Sequence, residues 1–148
     1  MGHRNGRDRH RVPLEGYERT RREVTENAVI DAAEDVLAHA WIAELDRERR
    51  SSVTALEAAA EVLIAARRLL SIAESAGDRA QIRSARAMRA QAEKDLANTL
   101  AETRATLSRV EQELRTTGRA ALTRLRRRRA DNRRLREARL AAGDEAPG

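Results

Sequence analysis

Cysteine and phenylalanine are absent, and the 148-residue chain has one Trp, one Tyr and two Pro. Without cysteine there is no disulfide framework, no thiolate metal site and no cysteine nucleophile, a composition that suits a reducing compartment. So few large aromatics exclude a thick globular core. The apolar content is mostly Ala and Leu, which favours slim helix-on-helix seams over a sandwich or barrel. No run reaches the roughly 18 uncharged apolar residues of a membrane span, and the start is polar and basic without a leader-like apolar stretch. The expected setting is cytoplasmic, with no membrane partner.

Chemical signatures are also missing. There is no Gly-rich phosphate loop, nucleophile elbow or cysteine–histidine metal spacing. His3 and His10 lie in a segment without periodicity, and His39 stands in an Ala-rich helix as a surface or half-buried residue. No Glu-x-x-His pair accompanies the carboxylates of residues 31–48, so a di-iron bundle site is excluded. Asp31, Glu34 and Asp35 read as a solvated helix face, with an acidic docking surface for a basic segment as the other reading. No catalytic residue, metal or cofactor is expected, and the chain reads as a non-enzyme.

What is present is charge, and almost all of the positive charge is arginine: 29 of the 30 basic residues, with Lys94 the exception. A guanidinium is a planar fork suited to carboxylate or phosphate. The net +6 is unevenly spread: +4 over residues 1–22, −5 over 23–50, near balance through 118, and +6 over 119–148.

Periodicity predicts an all-α fold, a helical hairpin or coiled-coil bundle of three to four helices with a basic C-terminal helix and a disordered basic N-terminal arm. The arm is residues 1–19. A first helix starts near Thr20, which forms a capping box with Glu23, and buries Val24, Ala28, Val29, Ala33, Val36, Ala40, Ala43 and Leu45, with Ile30, Leu37 and Trp41 widening the stripe. Ser51, Ser52 and Thr54 then interrupt the pattern, either as a break with Thr54 and Glu57 as a second capping box or within a continuous helix. Beyond them Leu56, Ala59, Leu63, Ala66, Leu70 and Ala73 form a heptad seam, flanked by Val62, Leu69 and Ala76. Gly77-Asp78 reads as a hairpin turn, Gly77 ending one helix and Asp78 capping the next. The following seam runs through Ala85, Met88, Ala92, Leu96, Leu100, Leu107, Val110 and Leu114, and Thr116-Thr117-Gly118 marks the end of the bundle of residues 20–117. An arginine-rich helix over 118–142 and a frayed tail over 143–148 complete the chain.

The oligomerisation and core residues are therefore Leu56, Leu63, Leu70, Leu96, Leu100, Leu107, Val110 and Leu114, with a homo-oligomer, a dimer in first place, as the expected state. Leu100, Leu107 and Leu114 outrun the short second helix and need cover from the first helix or from another subunit.

The functional candidates are Arg119, Arg124, Arg126, Arg127, Arg128, Arg129, Arg133, Arg134, Arg136 and Arg139, with Asn132 placed to contact a base edge. Four adjacent arginines point in nearly all directions on a helix, so they cannot share one salt-bridged seam. In composition the stretch resembles the short arginine-rich helices that bind RNA hairpins and the basic regions of dimeric zippers, without matching either residue by residue. The expected function is nucleic-acid backbone binding, DNA or RNA, by a coiled-coil oligomer through this arginine-rich helix and the basic N-terminal arm. The alternative is an adaptor or assembly scaffold whose basic ends dock on an acidic protein surface, such as the helix of residues 23–50.

Overall fold

The computed structural model describes residues 8–144, with side chains from 14 to 143, and among these residues there is helix and no strand. Two helices account for them: α1, Asp8–Ala76, and α2, Arg79–Asp144. Residues 1–7 of the expected arm and 145–148 of the expected tail lie outside the described residues.

The turn forms where Gly and Asp demand it. Gly77 sits at φ 75°, a left-handed conformation that an L side chain resists, and its amide donates to the Ala73 carbonyl at 3.1 Å. Asp78 caps α2: its Oδ1 accepts from the amides of Ala80 and Gln81 at 2.9 and 3.3 Å. This punctuation is as predicted.

The other predicted breaks are absent, and two helices stand where three to four were expected. Ser51, Ser52 and Thr54 are helical because Ser and Thr cost only about 0.5 kcal/mol each in a helix interior. The heptad also continues through them, with Ser52 half-buried and its carbonyl accepting from the buried Thr103 hydroxyl at 3.3 Å. Thr116-Thr117-Gly118 is likewise continuous helix, since an isolated glycine costs about 1 kcal/mol and two long flanks propagate across it. Thr20 is no helix start. Residues 8–19 of the expected arm are already helical, and half-buried Tyr17, Thr20 and Val24 carry the seam pattern back toward the helix start.

Contacts divide the chain into a central unit, Trp41–Arg115, and a terminal unit, Met1–Ala40 with Thr116–Gly148. In the central unit the seam is apolar. Leu63, Ala66 and Ala92 form one buried cluster with Leu96 packed on it, and Leu70, Ala73 and Ala85 form a second with Ile82. Alanine at so many facing positions lets the two backbones approach closely. Leu45 and Val110 are 0% and 2% exposed, Leu56, Leu100 and Leu107 are half-buried, and Leu114 is 39% exposed. Leu100 and Leu107 are thus partly covered within the chain, because α1 continues through Ser51 and Ser52, while Leu114 stays exposed. Arg109 pairs with Glu48 across the same helices.

In the terminal unit the predicted apolar stripe holds at Val24 and is wrong beyond it. Val29, Ile30, Val36 and Leu37 are exposed, and the seam is carried by Val24, Asn27, Asp31, Asp35 and Ala38. The reason lies in α1's continuity. Positions 73, 66, 59, 52 and 45 fall on one line every seven residues, and the same phase continued gives 38, 31 and 24.

Gly118 is helical, and a Cβ built on it meets nothing within 4 Å. Gly118→Ala is expected to raise stability by about 0.5–1 kcal/mol in urea unfolding; a loss of stability would mean that residue 118 is not helical in solution.

Candidate nucleic-acid interface

The arginine-rich part of α2 belongs to the terminal unit, and its side chains sort onto two faces because each residue turns about 100°. One face looks at α1. There Arg124, 7% exposed, donates from Nε to Asp35 at 2.8 Å and lies 3.7 Å from Glu34. Arg127 pairs with Asp31, and Arg128 donates to the second Asp35 oxygen at 2.8 Å. Arg134 donates to Glu23 at 2.8 Å and reaches Asp131 at 3.4 Å, and the Asn27 amide donates to Asp131 at 3.0 Å. This is a ladder of charge-assisted bonds in the place of a core.

The ladder is partly dry. Asp31 is 1% exposed and Asp131 7%, and the Asp31 Oδ2 atom accepts no hydrogen bond from the described residues. Burying a carboxylate is costly unless a charge meets it, and here a guanidinium does. The Arg124 hydrogen bond, opposed by desolvation and helped by the nearby Arg128 charge, holds the Asp35 carboxyl below the usual aspartate range. The bonds to Asp31 and Glu23 push Arg127 and Arg134 further up.

The opposite face carries Arg119, Arg126, Arg129, Arg133 and Arg136, all exposed and without an ion pair among the described residues. Arg126, Arg129, Arg133 and Arg136 follow the three–four spacing of a helical stripe, and Arg119 extends it one heptad back. The five span roughly 26 Å along the axis at 1.5 Å per residue. Between Arg119 and Arg136 the one acid is Asp131, which sits in the seam; Glu137 lies at the far edge of the stripe, four residues after Arg133. Asn132 and Arg139 are exposed on the flank between the two faces.

Of the ten candidate arginines taken from the sequence, four are thus committed to α1 and six are presented to solvent, five on the outer stripe and Arg139 on its flank. Sequence reasoning missed Glu23, Asn27, Asp31, Asp35 and Asp131 as seam residues. Their signal was the seven-residue phase from Ala73 to Val24, hidden by the richer apolar spacing of Val29, Ala33, Val36 and Ala40. Helix-surface pairs of the expected kind occur at Arg47 with Glu44 and at Arg49 and Arg50 with Asp46. His39 is exposed, with its Nδ1 2.7 Å from the Asp35 carbonyl.

Two outcomes follow for the seam. Arg124→Ala should destabilise the terminal unit by about 1–3 kcal/mol, because it strips the half-buried Asp35 of its main donor, while Arg126→Ala should stay within about 0.5 kcal/mol. Amide exchange of residues 23–38 reads the difference. The second outcome is set by acid. A depressed Asp35 contributes stability that is complete above its unfolded value of about 4 and is lost as pH falls below it. The arginine shifts act only in strong alkali. Taking the pH from 7 to 3 should therefore deprotect residues 23–38 and 124–135 before residues 56–73 and 85–96; simultaneous deprotection would contradict the ionic assignment. In comparisons with known proteins, no family, no curated protein and no solved structure matches this chain.

Proposed function

We propose that this protein is a non-enzymatic binder of nucleic-acid backbone, gripping phosphates with the stripe Arg119, Arg126, Arg129, Arg133 and Arg136, and doing so as a homo-oligomer. The observation that carries the reading is the separation of the arginines into two sets. Arg124, Arg127, Arg128 and Arg134 are neutralised by α1, so the ladder accounts for them; the five of the stripe have no ion pair among the described residues, and Glu137 stands only at its C-terminal end. Exposed like charges repel in the free protein and release counterions when laid along phosphates. From Arg126 onward successive positions rise by about 4.5 and 6 Å, which lets several guanidinium groups meet one phosphate strand. Guanidinium forks suit phosphate oxygens, and a stripe of this kind positions on the backbone rather than reading bases, with Asn132 on the flank as the side chain that reaches toward a base edge. Two stripes in one dimer raise avidity without new contacts.

The alternative, an adaptor that docks on an acidic protein, would use the same stripe, and one titration separates them. Labelled duplex DNA and single-stranded RNA are titrated with the full chain at ~50 and ~200 mM salt. Binding should weaken steeply with salt, and Arg126→Ala/Arg129→Ala/Arg133→Ala should flatten the log–log slope by about 3. Absence of binding at the lower salt, or an unchanged slope in the triple variant, would sink the reading. Equal binding to poly-glutamate would favour the adaptor.

A further inference from the structure

In the central unit α1 carries a second heptad seam that α2 does not cover. Ala55, Ala58, Val62, Ala65, Leu69, Ile72 and Ala76 alternate by three and four without a miss. Adjacent residues are about 100° apart, so this seam lies about 100° around the helix from the buried line of Leu56, Leu63 and Leu70. Its large members stay open: Val62 is 58% exposed, Leu69 47% and Ile72 65%. A helix with two apolar seams at that angle is built to touch two neighbours, as in a four-helix bundle. The described part of α2 supplies one neighbour and presents a polar outer face, with Gln91, Asp95, Asn98 and Glu102 exposed.

We infer that the second neighbour is α1 of another copy of this chain, packed antiparallel across a two-fold axis near residues 63 and 64. The register is fixed by size and by charge. When paired positions add to 127, Leu69 faces Ala58 of the second copy, Val62 faces Ala65, and Ile72 faces Ala55. From residue 55 to residue 72 each layer then joins one large side chain to one alanine, the interdigitation a tight seam needs, and Ala76 at the end faces Ser51. In the same register Glu61 of each copy stands beside Arg68 of the other. Neither residue has an ion pair among the described residues of its own chain, and both are exposed on the edge away from α2. Sliding by one heptad in either direction sets Arg68 against Arg68 or Glu61 against Glu61, so the neighbouring registers are repelled. A parallel pairing stacks Ala on Ala at positions 55, 58 and 65 and brings Glu61 to Ala66, gaining no ion pair.

This surface gives the oligomer invoked above its interface, and it rests on that reading only for the existence of the dimer, not for the nucleic acid. The experiment is therefore run without nucleic acid. Sedimentation equilibrium of the full chain at ~1–100 μM should show a dimer, with Val62→Glu and Ile72→Glu monomeric and circular dichroism showing the helices retained. Glu61→Arg and Arg68→Glu should each raise the dissociation constant about tenfold, as two exposed ion pairs turn repulsive. Combining both changes in one chain should restore it, and mixing the two single variants should yield the heterodimer in preference to either homodimer. A wild-type monomer at 100 μM, or a dimer untouched by Val62→Glu, overturns the interface. A dimer lost in Val62→Glu but indifferent to every charge change overturns the antiparallel register. A variant that also loses helicity is replaced by Val62→Gln, which keeps helix propensity while removing the apolar contact and is held to the same outcomes.

Discussion

The structure depends on the phase of one uninterrupted helix. Once α1 runs from Asp8 to Ala76 without a break, the line that joins Ala73 to Ala66 also selects Leu45, Ala38, Asp31 and Val24, whatever their chemistry. Where the phase meets Leu and Ala it makes an apolar seam; where it meets Asn and Asp the seam must be satisfied by charge. The arginines of α2 answer that demand, and Arg124 is buried because Asp35 and Glu34 receive it. A seam of this kind adds little net stability, since desolvation consumes much of the attraction. Its effect is geometric: each carboxylate is met by donors from the turns of the helices that face it.

Much of the central unit was legible in the sequence. The Leu56 to Ala73 spacing, the Gly77 turn and the Asp78 cap each have a local cause, and local causes survive translation into three dimensions. The helix count was not legible, because Ser51, Ser52 and Gly118 carry weak penalties that a long helix absorbs. The first seam was misread for a different reason. Val29, Ala33, Val36 and Ala40 obey helical spacing as well as the true seam does, and hydrophobicity alone ranks them higher than Asp31 and Asp35. Only the phase imposed from the far end of α1 decides between them.

The candidate site was half legible. Composition marked residues 119–139, and the argument that adjacent arginines point in nearly all directions showed that one seam could not take them all. It did not assign them, since the assignment required knowing which face of α2 meets the carboxylates. Arg127 and Arg128 are neighbours of Arg126 and Arg129 in the chain, yet the first two are tied to Asp31 and Asp35 while the others stand in water.

The choice of arginine over lysine on the outer stripe has a consequence for control. A guanidinium keeps its proton at any pH a cell experiences, and it is not a substrate for the acylation that neutralises lysine amines. The charge along the outer stripe is thus carried by guanidinium groups alone. A surface of fixed positive charge has the character of an anion exchanger, and the reach of its field shortens as ionic strength rises.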